Sequence, residues 1–192
     1  MTHPLRLGNE QQLVLKRRGL ARRTQTLFQE LDRDEQLQRS FIASPAEVIG
    51  HELLGESYTP EQATAVNQFL FSVLASDGLR RWSAEYDAAH AGQSITPEQH
   101  LHDLAEAFMR HGDASIMKGL MQMAETGVNI TGLTQAALFV KQESVAIGTW
   151  FVYKVSGVNL DDEQPVLPAA LVQKIAQQLL RRAQELKRNG QL

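Results

Sequence analysis

An all-α fold, a compact bundle of roughly eight or nine helices around one buried helix near residues 131–156, is what this sequence predicts. Three observations carry that expectation. Apolar residues recur at helical spacing along most of the chain. Helix start signals, a Ser or Thr followed by Pro and then Glu, occur at Ser44-Pro45-Ala46-Glu47, Thr59-Pro60-Glu61-Gln62 and Thr96-Pro97-Glu98-Gln99. Glycines stand where the apolar patterns stop, as at Gly55 and Gly112.

In order along the chain, residues 9–31 place Leu13, Leu20, Leu27 and Leu31 on one stripe, with Val14 and Phe28 beside them. A short helix over about 33–43 carries Leu37 and Phe41. Ser44 opens a helix holding Val48, Ile49, Leu53 and Leu54, and Ser44 is expected to accept from the amide three residues on while Glu47 reaches back. Thr59 opens the next, through Val66, Phe69, Leu70, Val73 and Leu74, which Asp77-Gly78 should break. A further helix carries Leu79, Trp82 and Tyr86. The helix from Thr96 presents Leu101, Leu104, Ala105 and Phe108, and another over about 113–126 carries Ile116, Leu120 and Met123.

Residues 131–156 fit helical spacing throughout, from Leu133 to Val155. The segment Gly148–Val155 is rich in β-branched and aromatic residues, so a strand over 145–155 stands as the alternative. An acidic loop over 157–167 follows. Pro168 then begins a C-terminal helix over 168–188, with Leu171, Ile175, Leu179 and Ala183 inside and basic residues outside. The 192 residues are read as a single helical domain.

Composition narrows the functional classes. With no cysteine there is no disulfide framework, thiolate metal site or Cys nucleophile. No apolar run approaches the roughly 18 residues a membrane span needs, and no secretory segment precedes the first basic residues, so a cytoplasmic protein is expected. The net charge of −3 conceals basic ends on an acidic middle. Residues 1–31 and 169–192 each carry a net +4, which leaves −11 for residues 32–168. Both ends read as amphipathic helices, so they are expected to fold back onto the body. Lys16, Arg17, Arg18, Arg22 and Arg23 could touch phosphates, but the acidic body opposes nucleic acid, and none is expected.

The residues that bear chemistry form no complete catalytic constellation. Glu98, His100, His102, Asp103, Glu106 and His111 are the densest cluster; His102 and Glu106 share a helix face and could hold one divalent metal. A solvated helix face is the plainer reading, and no metal or other cofactor is expected. His51-Glu52 lacks the second histidine of a zinc protease helix. Ser44 and Thr59 are expected to be caps rather than nucleophiles, since neither has a base beside it. Met117, Met121 and Met123 either fill a core or line an adaptable groove. Trp150, Phe151 and Tyr153 either pack inside or line a ligand cavity.

One stretch carries a resemblance. Over residues 27–66 the pattern runs Asp34-x-x-Leu37, Phe41, Ser44-Pro45-x-x-Val48, Leu53-Leu54-Gly55, then Thr59-x-Glu61-Gln62. This resembles the helical leader or recognition domains of precursors of ribosomally made, modified peptides, of the Nif11-like and nitrile-hydratase-like kinds and the precursor domain bound by borosin methyltransferases. It covers about 40 residues, and the C-terminus, a basic helix ending Asn189-Gly190-Gln191-Leu192, has no core-peptide character. The resemblance implies a recognition domain within a larger helical partner, with Asp34, Leu37, Phe41, Val48 and Leu53 as partner-binding residues, and it transfers no catalytic residue.

The function expected is therefore a non-catalytic helical binding protein that docks a partner protein, a modification enzyme of a peptide natural-product pathway being one such partner. The alternatives are a small helical enzyme using the His100–His111 region, with His102 and Glu106 as metal ligands, and a lipid or small-ligand carrier. Self-association into a homo-oligomer is a further option.

Overall fold

The computed structural model describes residues 22–55, 57–90, 97–128 and 167–192. Among the described residues the fold is all-α, with no strand. Residues 22–33 are helical and form α1. They are followed by α2 (Glu35–Ala43) and α3 (Pro45–Val48), which runs on as a π-helical turn over Ile49–Leu54. Then come α4 (Pro60–Ala75), α5 (Asp77–Ala89), α6 (Pro97–His111), α7 (Ala114–Glu125) and α8 (Ala169–Arg188). The helix expected over 131–156, its strand alternative over 145–155 and the stripe before residue 22 lie outside the described residues.

Among the described residues α4 is the central helix. It is apolar on several sides, as a helix surrounded by others must be. Phe71, Leu74 and Ala75 join a core with Leu27, Phe28 and Leu31 of α1, Phe41 of α2, Ile49 and Leu53 of the π-helical turn, and Leu171, Ile175, Leu179 and Ala183 of α8. Ala63, Ala65 and Val66 pack with Ala46, Met123 and Val128. Val73 packs with Leu79, Ala107 and Ile116. The partly buried Phe69 belongs to both of these smaller clusters and meets Phe108 edge to face, with ring centroids 5.9 Å apart.

Close approach of α7 to α4 depends on Gly119. A Cβ there would lie 2.8 Å from Phe69 Cα, a distance that backbone cannot yield cheaply.

The start signals resolve differently. Thr59 makes the full capping box: its Oγ1 accepts from Gln62 N at 3.3 Å, and Gln62 Oε1 accepts from Thr59 N at 3.0 Å. The spare amide group of Gln62 also donates to Thr126 O at 3.1 Å, beyond the end of α7. Ser44 does not cap by its own hydroxyl. Instead Asn67 Oδ1 accepts from Ala46 N at 2.9 Å, and Asn67 Nδ2 donates to Ser44 Oγ at 2.8 Å. A carboxamide from α4 reaches both groups at once, so it displaces the local hydroxyl. The break after α4 falls at Ser76 rather than Asp77-Gly78. Ser76 caps α5, accepting from Leu79 N at 3.4 Å, and Asp77 is already helical. Gly55 ends the π-helical turn in the left-handed region, with φ of 67°.

The C-terminal basic helix does fold onto the body. Lys174 Nζ donates to Gln38 Oε1 at 3.1 Å, while Gln38, buried between the helices, donates to Leu31 O at 2.5 Å. Lys187 Nζ donates to Ala75 O at 3.1 Å and lies 3.5 Å from Asp113. Arg80 donates to the neighbouring carbonyl, Leu74 O, at 3.0 Å. Two cations thus serve the last carbonyls of α4, where the helix dipole is negative.

Candidate functional site

Of the titratable groups that the sequence gathers on α6, Asp103 meets α5. Trp82 and Tyr86 on α5 and His90, its C-cap, stand at i, i+4 and i+8, so they stack along one face. Their ring centroids are 5.0 Å apart from Trp82 to Tyr86 and 4.1 Å from Tyr86 to His90. His90 Nδ1 lies 2.8 Å from Tyr86 O, a contact that places the proton on Nδ1 in the neutral ring. From α6, Asp103 accepts Tyr86 O–H at 2.7 Å on one carboxylate oxygen and Gln99 Nε2 at 2.7 Å on the other.

Electrostatics follow from that geometry. Burial pushes the Tyr86 phenol well above its ordinary value, and the bond to the Asp103 carboxylate, with Asp87 also near, adds to the rise. Burial acts on Asp103 in the same direction. The hydrogen bonds from Tyr86 and Gln99, with His102 and His90 nearby, outweigh it and hold the carboxyl below its ordinary value. A phenol held protonated and a carboxylate held ionised, with both of its oxygens engaged, form a latch between α5 and α6. Neither is poised near neutral pH for proton transfer.

His102 and Glu106 do share a face, as their spacing requires, with Nε2 to Oε1 at 3.4 Å. Both are well exposed, and Glu106 also pairs with Arg110 at 2.9 Å. Among the described residues there is no group of three or more His, Asp or Glu placed to hold a metal ion. His51 and Glu52 pair at 2.8 Å on the exposed side of the π-helical turn.

The residues expected to meet a partner are engaged within the chain itself. Asp34 is the N-cap of α2, its Oδ1 accepting from Gln36 N at 2.7 Å and Leu37 N at 3.0 Å. Phe41 and Leu53 are buried in the largest core, and Leu37 and Val48 pack against it, half-buried. Burial of the apolar members at helical spacing is what their periodicity encodes.

Exposed apolar surface lies elsewhere. Of the methionine group, Met123 is in the core at 1% exposure, while Met117 and Met121 stand out from α7 at 44% and 61%. Met109 on α6 is 77% exposed. Residues 117 and 121 are one turn apart and so share a face of α7, away from Ile116, Gly119 and Met123, which turn inward. Trp150, Phe151 and Tyr153 lie outside the described residues.

Sequence reasoning missed the Tyr86–Asp103 bond, although the Trp82, Tyr86, His90 spacing signalled an aromatic row. It also missed Asn67, for which a side chain 21 residues from its partner leaves no local signal. The chain matches no protein-family model, no curated protein and no solved structure. Among the described residues no helix is long and apolar enough to cross a membrane.

Proposed function

We propose that this chain is a helical binding protein that docks a partner protein, with the outer face of α7 as the principal contact. One observation carries the reading: Met117 and Met121, one turn apart, are held in solvent at 44% and 61% exposure while the rest of α7's large apolar side chains turn inward. Paired thioethers are flexible and polarisable, and they suit the apolar face of a partner helix. Placement of that partner in peptide modification is supported by the 27–66 resemblance alone. In that setting the 27–66 segment contributes its fold, since Phe41 and Leu53 are core residues.

Co-expression with the products of adjoining reading frames, followed by light scattering on the purified complex, tests the proposal. A complex of fixed stoichiometry is expected, weakened at least about tenfold when Met117→Glu and Met121→Glu are combined. A complex indifferent to both substitutions would remove α7 from the interface. The competing reading, a metal-dependent helical enzyme, draws on the His102–Glu106 contact at 3.4 Å. Stoichiometric zinc, iron or manganese in protein purified without a histidine tag, lost on His102→Ala, would favour it instead.

A further inference from the structure

We infer that Met109 on α6 and the Met117–Met121 pair on α7 are surface oxidation positions, at which a hydroperoxide converts thioethers to sulfoxides without unfolding the chain. The inference stands apart from any docked partner. It rests on how the sulfur of this protein is distributed. There is no cysteine, so no thiol competes for the oxidant. The chain has five methionines. Of the four within the described residues, three are exposed, at 77%, 61% and 44%, and Met123 is sealed at 1%.

In the reaction the sulfur lone pair attacks the distal peroxide oxygen. The O–O bond breaks, an S–O bond forms, and a proton transfer releases water from hydrogen peroxide. The sulfur loses two electrons and the peroxide gains them. Reversal needs a dithiol reductant, which leaves as a disulfide with loss of water, the chemistry of methionine sulfoxide reductases. Sulfoxide is polar and chiral where thioether is apolar, so the α7 face carrying Met117 and Met121 changes character over one helical turn.

The fold is built to survive that change. Ile116, Gly119 and Met123 anchor α7 against α4, and none of them belongs to the exposed set. Oxidation of Met123 would place a polar oxygen in the cluster with Val66 and Ala63, and it requires local opening first.

The test is graded hydrogen peroxide treatment of the full chain, with peptide mass mapping and circular dichroism on each sample. The expected order is Met109, then Met121, then Met117, following exposure. Met123 should be at least about tenfold slower, because its oxidation waits on opening. Helicity should hold until Met123 reacts, and treatment with methionine sulfoxide reductases and a dithiol should restore the original mass. In the triple variant Met109→Leu, Met117→Leu, Met121→Leu, Met123 should still oxidise only slowly, and helicity should hold over the interval in which the wild-type surface methionines react. Oxidation of Met123 as fast as Met121, or loss of helicity with the first oxygen, would overturn the inference.

Discussion

Asn67, in the middle of α4, caps the start of α3 through a residue 21 positions earlier: its Oδ1 accepts from Ala46 N at 2.9 Å, while its Nδ2 donates to Ser44 Oγ at 2.8 Å. One carboxamide therefore ties the start of α3 to the central helix. Asn67→Ala should cost about 1–2 kcal/mol, the upper part of the range for loss of a helix cap, because an amide is orphaned in a half-buried place. Ser44→Ala removes only one acceptor and should cost less, about 0.5–1 kcal/mol. Urea unfolding of both single variants and the double variant would check this. A larger loss from Ser44→Ala than from Asn67→Ala would restore the serine as the cap.

Gly119 sets the distance between α7 and α4. A methyl group there would press on Phe69 Cα at 2.8 Å, and helix propensity alone would favour the alanine. The steric term should win. Gly119→Ala is expected to destabilise by about 1–3 kcal/mol, in the manner of an overpacked core. Met121→Ala on the exposed side of the same helix should stay within about 0.5 kcal/mol. Thermal melts of the two variants separate the effects, and a Gly119→Ala protein more stable than wild type would mean that α7 can shift outward freely.

Much of the fold was legible because helix grammar is local. The stripe through Leu27, Phe28 and Leu31, the Thr59 box and the inward row Leu171, Ile175, Leu179 and Ala183 all lie within a few residues of the signals that announce them. The errors share a cause. At Ser44 the local box lost to a side chain from another helix. At Asp77-Gly78 the break fell one residue early, because Ser76 is the better cap and Arg80 and Lys187 serve the carbonyls behind it. The site was less legible still. Spacing put His102 and Glu106 together, but it could not show that Asp103 would face Tyr86 on another helix. Periodicity did set Met123 with Ile116 and Leu120 on the inward face of α7, but it left open whether the methionine group as a whole fills the core or lines a groove, which packing of α7 on α4 at Gly119 decides by leaving Met117 and Met121 outside.

Lys187 contributes to the seating of α8 more than Arg188 does. Its ammonium donates to Ala75 O at 3.1 Å and approaches Asp113 at 3.5 Å, whereas Arg188 is an exposed residue of the last turn. Lys187→Met keeps the stem and removes the donor. It should cost about 0.5–1.5 kcal/mol, the net worth of a hydrogen bond, and Arg188→Met should stay within about 0.5 kcal/mol. The Asp113 part is half-exposed and will fade with salt, so the Lys187→Met effect should shrink but persist in high salt. Equal effects from the two variants would indicate that only total charge matters.

The Tyr86–Asp103 latch makes a prediction with opposite signs at the two ends of the pH scale. Asp103 in the folded chain is held below its ordinary value of 3.8. Its contribution to stability is therefore present above that value and is lost as pH falls through the lower, folded-state value. Tyr86 is raised above its ordinary value of 10.0. Its contribution is present below pH 10.0 and is lost as pH rises beyond it, because the unfolded phenol ionises first. Tyr86→Phe keeps the ring against Trp82 and His90 and removes only the hydroxyl. At neutral pH it should cost about 1.5–3 kcal/mol, the range for a hydrogen bond to a charged acceptor. The Asp103 carboxyl should then titrate at higher pH, because burial acts on it without the phenol's opposing bond. Carboxyl titration by nuclear magnetic resonance, with denaturation midpoints across the pH range, provides both readouts. The gap between wild type and Tyr86→Phe should close at the acid end, and the part of the alkaline decline that begins near pH 10 should be absent from the variant. An unmoved Asp103 titration in Tyr86→Phe would show that Gln99 and the histidines alone hold the carboxylate, and that the latch between α5 and α6 is not the phenol's.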